Sequence, residues 1–287
     1  MKFRTEIPVQ SSDFKISHDC RIAMSGSCFA ENMAAKFLDA GFSIDINPFG
    51  IAYNPFSLSH NLNRLLDDKP YGAEELFEDN GIYHSFSHHS RFSGTDPDEV
   101  LIKINSRMET ALAFLETANV LIITFGTAYV YRLQSTGAVV SNCHKLPAKS
   151  FTYKRLSIED ITAEWNNLIN RLQTFNPKLR ILFTVSPIRH WKDGAHENQL
   201  SKSILLLSID ELLHNHSNCF YFPAYEILLD DLRDYRFYAE DMFHPSSQAI
   251  DYVWEKIKEA WFDNETLKKT LDSEKNSRAS NHIPFKK

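Results

Sequence analysis

Val120-Leu121-Ile122-Ile123-Thr124-Phe125 is a six-residue run with no alternation of polar and apolar side chains. A strand of that kind is covered on both faces, which places it at the centre of a parallel sheet layered by helices. Ile181-Leu182-Phe183-Thr184-Val185 has the same character. Segments of helical period flank both runs. Residues 98–117 carry Val100, Ile104, Met108, Leu112 and Leu115 on one face, and 158–175 precede the second run. A helix over 198–214, a strand near 219–222 and a last helix over 247–262 follow. That last helix turns Ile250, Val253, Trp254, Ile257 and Trp261 inward. The alternation predicts an α/β fold, a three-layer α/β/α sandwich with a mainly parallel central sheet.

The first 54 residues add a βαβ unit. Residues 21–24 read as a strand, and 29–39 as a helix with Phe29, Met33, Phe37 and Ala40 on one side. Gly41 suits the helix end, and 42–46 alternate as a second strand. Parallel strands joined this way take a right-handed crossover. Residues 56–68 look helical and 70–97 loop-like and aromatic, so a helical and aromatic insertion is expected at about 55–117. A single domain is expected over 1–262. Residues 263–287 are polar with little periodicity and are expected to form a mobile tail.

Charge and composition exclude several classes. The net charge is −6 and basic residues are dispersed, so nucleic acid is not an expected partner. No apolar run approaches 18 residues, so no membrane span is expected. The N-terminal residues lack the apolar centre of a secretory signal, and the expectation is a cytoplasmic protein. The four cysteines (20, 28, 143 and 219) include no Cys-x-x-Cys pair, which argues against a zinc ribbon or a disulfide framework. His84, His88 and His89 are too loosely spaced to predict a metal site. No Gly-x-Gly-x-x-Gly or Walker motif occurs, and no cofactor is expected.

In doubly wound sheets the working loops follow the carboxyl ends of the strands. Four such loops, at 25–28, 47–55, 126–128 and 186–190, are rich in Gly, Ser, Asn, Arg and His. In the first, Ser27 and Cys28 stand where a strand turns into a helix. Free N–H groups at a helix start favour negative charge, so a cysteine there has a lowered pKa and nucleophilic character. The bland alternative is a packing cysteine in a small-residue turn. Before the last helix, Asp241-Met242-Phe243-His244 sets a carboxylate three residues from an imidazole. Asp241 can then orient His244 as a general base, or simply cap the local turn. Arg189 and His190 follow a central strand. They are expected either to face the pocket, binding an anionic group or positioning an acyl donor, or to form a structural ion pair.

This block order resembles that of the SGNH (GDSL-like) hydrolases. Gly26-Ser27-Cys28-Phe29-Ala30 looks specifically like the GSCFA-domain family named for it. Asn47-Pro48-Phe49-Gly50, Ser186-Pro187-Ile188-Arg189-His190, Tyr221-Phe222-Pro223-Ala224-Tyr225-Glu226 and residues 233–245 look like the same family. The resemblance covers roughly 20–262. It implies an acyl-transfer enzyme, an esterase or an acyltransferase, working on an ester or thioester of a small molecule or glycan. Overlaid without a gap on Gly-Asp-Ser-Leu, the chain places Cys28 on the nucleophilic serine; a one-residue shift makes Ser27 the nucleophile instead. The resemblance gives His244 and Asp241 the base and orienting roles, and the N–H groups of Cys28 and Gly50 two places in the oxyanion hole. One departure matters. The usual Gly-x-Asn is Gly126-Thr127-Ala128 here, which removes an oxyanion donor typically worth about 2.7–4 kcal/mol. Thr127, Asn47 and Asn54 are candidate substitutes. The same departure motivates an alternative, a catalytically inactive SGNH-fold protein that binds a glycan or an acylated ligand.

Overall fold

The computed structural model describes residues 4–9, 11–12 and 14–281, with side chains to residue 277. The chain opens with β1 (Arg21–Gly26), α1 (Cys28–Asp39) and β2 (Ser43–Ile46). It continues through α2 (Pro55–Leu66), the hairpin strands β3 (Leu76–Asp79) and β4 (Ile82–Ser85), and α3 (Pro97–Glu116). The central strand β5 (Val120–Phe125) leads into β6 (Tyr129–Leu133), β7 (Val139–Val140) and β8 (Phe151–Arg155). Then come α4 (Ile158–Phe175), β9 (Arg180–Val185), α5 (Gly194–Asn215) and β10 (Cys219–Phe222). A short α6 (Ala224–Glu226) runs into a π-turn over Ile227–Asp231, and α7 (Ser247–Trp261) and α8 (Asn264–Asn281) close the chain.

The central sheet has the order β10-β9-β5-β1-β2, and every neighbouring pair is parallel. Its strands feed both layers by simple alternation. In β5, Leu121, Ile123 and Phe125 point into one core, while Val120 and Ile122 point into the other. The first core is filled from α2, α3, α4 and α5, with Trp165 wholly buried against Phe125 and Phe183. The second is filled from α1 and α7, where Phe37 and Trp254 meet edge to face at 4.8 Å. Burying side chains of this size is worth about 1.5–3 kcal/mol each, so the two apolar cores hold the three layers together. The expected α/β/α sandwich is the observed one.

Three features differ from the sequence reading. Helices α2 and α3, expected within an insertion, pack on the sheet as part of one helical layer; within 70–97, the expected loop carries the antiparallel β3–β4 hairpin. Residues 129–155, which gave no sequence signal, form a second antiparallel sheet in the order β7-β6-β8. Residues 264–281 of the expected tail form α8, and residues 282–287 of that tail lie outside the described residues. Thr266 and Thr270 are buried, and the Trp254 indole N–H donates to Glu274 at 2.7 Å. A stripe spaced by four residues, Thr266, Thr270 and Glu274, together with Leu267 packs α8 on the domain while raising local hydropathy little. Among the described residues, no helix is long and apolar enough to cross a membrane.

Candidate active site

The strand order reverses between β1 and β5. β2 continues the sheet on one side and β9 on the other. The crevice at such a switch point, beyond the carboxyl ends of the strands, is where doubly wound sheets hold ligands. At the end of β1, Gly26 has φ +156°, and a Cβ there would stand 2.6 Å from the Thr124 carbonyl oxygen on β5. Only glycine lets β1 turn this close to its neighbour. The chain enters α1 at once, with Ser27 as the N-cap residue and Cys28 as the first helical residue. A cleft of about 620 Å³ opens above them, walled also by Asn54, Thr127, Arg189, His190 and His244. All four strand-end loops singled out in the sequence contribute to it.

Ser27 and Cys28 differ in access. Ser27 is 1% exposed and its hydroxyl has no hydrogen-bond partner among the described residues; Cys28 is half-buried. The thiol does not have the lowered pKa expected of a helix start. Burial pushes it up, and the carboxylates of Glu31 and Asp241 push the same way, against the opposing pull of the Cys28 and Phe29 N–H groups. Desolvation of the charged form outweighs the two helix-end amides.

Asp241 and His244 stand on one turn. The Asp241 Oδ1 accepts the N–H groups of Phe243 at 2.9 Å and His244 at 3.0 Å, and Oδ2 is 2.6 Å from His244 Nδ1. Met242 between them has φ +63°, a left-handed conformation that closes the turn. The donated N–H groups of His244 and Phe243, then the imidazole, hold the Asp241 carboxyl down at about 2. His244 is about half exposed and lines the cleft, while Asp241 sits outside the lining.

The expected oxyanion donors are mostly committed elsewhere. The Gly50 N–H donates to the Asn47 carbonyl at 2.8 Å, so it closes its own turn rather than facing the cleft. The Gly126 and Thr127 N–H groups both donate to the Tyr53 carbonyl, at 2.7 and 2.9 Å. The Thr127 hydroxyl is 3.1 Å from the Ser201 hydroxyl. The Asn47 amide binds the Gly26 N–H at 2.8 Å and donates to Glu31 at 3.2 Å, latching the β2 loop to the end of β1. Asn47 lies outside the cleft lining, as do Gly50 and Gly126. The reason is shared: tight loops spend their own polar groups to hold their shape. Asn54 caps α2 through Ser57 but lines the cleft, and its Nδ2 carries a second hydrogen beyond the one given to Ser57 Oγ at 3.0 Å.

Arg189 and His190 both line the cleft. Burial, reinforced by Lys202 and His244, drives the His190 pKa down to about 3, so this imidazole is neutral. Arg189 makes no ion pair among the described residues; its guanidinium lies near Tyr225 and faces the Tyr238 hydroxyl as a hydrogen-bond partner. The ion-pair alternative for this residue is therefore not the observed arrangement. His84 and His88 bond separately to Ser93 and Ser85, and among the described residues no three His, Cys, Asp or Glu side chains gather as a metal site.

Two contributors escaped the sequence reading. Lys202 on α5 is fully buried, and its ammonium donates to the Gly126 and Ser186 carbonyls, each at 2.6 Å. It ties together the ends of β5 and β9 directly beneath the cleft. Burial brings its pKa down to about 7. The legible signal was the inward stripe of α5, where Asn198, Ser201, Lys202 and Ser208 occupy core-facing positions. The second contributor is the β7-β6-β8 sheet, whose Tyr129, Tyr131 and Tyr153 form an aromatic wall of the cleft, Tyr129 stacked on Tyr153 and Tyr131 tilted against it. Tyr153 donates to Asp193 at 2.7 Å and Tyr129 to Glu197 at 2.6 Å.

The GSCFA family model matches residues 21–257, and the chain belongs to the GSCFA family. No curated protein matches it. Among solved structures it is similar to a family 3 carbohydrate esterase of Clostridium thermocellum, at 11% identity and a TM-score of 0.41 over 92% of this chain and 99% of that one. It is also similar to a family 3 carbohydrate esterase from Talaromyces cellulolyticus, at 6% identity and a TM-score of 0.39, covering 88% and 99%. An acetyl xylan esterase of the rumen bacterium Butyrivibrio proteoclasticus is similar at 9% identity and a TM-score of 0.41, covering 89% and 66%.

Proposed function

We propose that the chain is an SGNH-like acyl-transfer enzyme with Cys28 as its nucleophile. The observation that carries this reading is that Cys28 and His244, the latter held by Asp241, line one cleft at the switch point of the sheet. His244 takes the thiol proton as Cys28 attacks the carbonyl carbon of an ester or thioester. A carbon–sulfur bond forms, the bond to the leaving group breaks, and His244 returns the proton to that group. Water or an acceptor hydroxyl then reverses the sequence and frees the thiol. The exposure of Cys28 favours it over Ser27, whose hydroxyl is buried. The Cys28 N–H at the start of α1 and the second Asn54 Nδ2 hydrogen serve the developing oxyanion. Lys202 acts on the site through the two carbonyls it holds.

The reading is tested by mass spectrometry after brief exposure to p-nitrophenyl acetate, with the adduct mapped by peptide. Wild type, Cys28→Ala, Ser27→Ala and His244→Ala are compared. An adduct on Cys28 that depends on His244 is the expected result, and an adduct on Ser27 would overturn the thiol assignment.

A second reading rests on the spent donors. With the Gly50, Gly126 and Thr127 N–H groups all committed, the cleft suits a catalytically inactive protein that binds a glycan or an acylated ligand against its tyrosine wall. Such a protein would form no selective adduct and would keep ligand affinity in Cys28→Ala and His244→Ala.

A further inference from the structure

The turn that carries His244 has a second face. On its far side lies another cleft, of about 470 Å³, lined by Met242 and Phe243 of that same turn. Its other walls include Leu229 at the π-turn, Tyr235, Tyr238 and Arg233. Arg189 and Trp191 line both clefts. The acyl-transfer site and the aromatic chamber therefore meet at Arg189 and Trp191, which is where an acceptor held in the chamber would reach across to Cys28.

Three observations give the chamber a ligand chemistry. Arg189 enters it without a carboxylate partner among the described residues, its polar neighbour there being the Tyr238 hydroxyl of the same chamber. A half-buried guanidinium without a counter-ion is a receptor for a planar oxyanion, which it can hold through two parallel N–H donors. Arg233 adds a second cation, though it is paired with Asp230 at 2.8 Å, and Asp234 adds an opposing carboxylate that accepts the Arg236 N–H at 2.9 Å. The remaining surface is aromatic and apolar. Tyr235 is 76% exposed and Trp191 48% exposed, with the Trp191 ring 5.8 Å from that of Phe243. Large apolar side chains left open beside a cation with no carboxylate counter-ion mark a binding surface rather than a packing one.

We infer that this second cleft is the acceptor site of the acyl transfer, and that it takes a hydroxyl-bearing small molecule with an aromatic or apolar body and one oxyanion read by Arg189. The inference rests on the acyl-transfer reading for the identity of the reaction, but its binding component does not. The acyl group is held on Cys28 as a thioester. The acceptor hydroxyl loses its proton to His244, its oxygen bonds to the acyl carbon, the carbon–sulfur bond breaks, and the thiolate recovers the proton from His244.

The test uses two probes with the same body and reactive group, 4-(hydroxymethyl)benzoate and the neutral 4-methylbenzyl alcohol. A third, 4-(hydroxymethyl)phenyl phosphate, separates carboxylate from phosphate as the preferred oxyanion. Binding is measured calorimetrically in Cys28→Ala, and transfer in wild type with p-nitrophenyl acetate as donor, the acetylated probe being read by mass spectrometry. At least one anionic probe should bind at least about tenfold more tightly than the neutral one, the size of a charge-assisted hydrogen-bond contribution. Arg189→Gln should erase that preference in binding and in transfer, and Arg189→Lys should restore part of it. Tyr235→Ala, at an exposed position, should weaken all three probes without altering the preference. Equal binding of neutral and anionic probes, or a preference that survives Arg189→Gln, overturns the inference even if Cys28 acylates normally. Anion-selective binding with no acyl adduct on Cys28 overturns the proposed reaction, and the acceptor role with it, while leaving the anion site standing.

Discussion

Asp241 holds His244 through both carboxylate oxygens. Oδ2 lies 2.6 Å from the imidazole Nδ1, and Oδ1 accepts the backbone N–H of His244 itself at 3.0 Å. One side chain thus fixes where the ring sits and which nitrogen carries its proton. With Nδ1–H engaged, Nε2 is the nitrogen free to accept a proton from a nucleophile.

Replacing Asp241 by Asn tests that division of labour. The Asn oxygen can still close the turn, but its amide would turn an N–H toward Nδ1 and favour the wrong tautomer. The rate of acyl-adduct formation on Cys28 should fall by about 10²–10⁴. Because the pair is half exposed, the melting temperature should stay near that of the wild type. Adduct formation at the wild-type rate in Asp241→Asn would show that Asp241 does not set the tautomer of His244.

The raised pKa of Cys28 makes a prediction about its reactivity. The thiolate is the reactive form, and burial holds the thiol above its ordinary value of 9.0. Alkylation of Cys28 by iodoacetamide, followed by peptide mass spectrometry, should therefore keep accelerating as pH rises past 9. A rate that has already levelled off at pH 7 would contradict this account of the thiol.

Lys202 should leave a signature in the pH dependence of stability. Burial lowers its pKa from 10.5 to about 7 in the folded chain. Between those values the unfolded chain binds a proton that the folded chain does not, so this residue makes stability rise with pH across that window. Below about pH 7 both states are charged, and the cost of the buried ammonium is fully present. Lys202→Met should flatten the rise. It should also destabilise by roughly 1–3 kcal/mol for each carbonyl left unsatisfied. Urea denaturation of both proteins at pH 7 and 10 measures the two effects, and an unchanged slope would show that Lys202 does not titrate in this range.

Gly50 and Gly137 separate backbone strain from steric conflict. Both have positive φ, +87° and +73°, yet a Cβ at Gly50 would stand 2.2 Å from the His89 Cβ while one at Gly137 would meet nothing within 4 Å. Gly137→Ala should cost about 1 kcal/mol from strain alone. Gly50→Ala should cost more, beyond the roughly 1–3 kcal/mol of a sparsely populated backbone conformation, since the β2 loop must also move. Chemical denaturation of the two variants side by side decides this; equal losses would mean the His89 contact yields freely.

The central strands were legible because burial on both faces demands an unbroken apolar run, and residues 120–125 and 181–185 supply one. Helix positions followed from period, and the cleft from the rule that loops at strand ends face a switch point. Cys28, Ser27, Asn54, Thr127, Arg189, His190 and His244 do meet there. The β7-β6-β8 sheet was not legible, since Tyr129, Tyr131 and Tyr153 show an aromatic pattern whose purpose appears only when the strands pair. The helix over Asn264–Asn281 was hidden because it docks largely through Thr266, Thr270 and Glu274, with Leu267 as its apolar contact, a stripe that hydropathy hardly registers.

Local sequence thus determined the elements of the central sandwich, their order and the residues available at the strand ends, because propensity and periodicity act over a few neighbours. Hydrogen-bond commitment was decided by the tertiary structure. The Gly50 N–H faces Asn47, the Thr127 N–H faces Tyr53, and Lys202 reaches two carbonyls from a helix 76 and 16 residues away in the chain. The direction of the Cys28 shift was also a tertiary outcome. The helix start that lowers a thiol pKa is a local feature, whereas the burial that raises it depends on every element packed around the site.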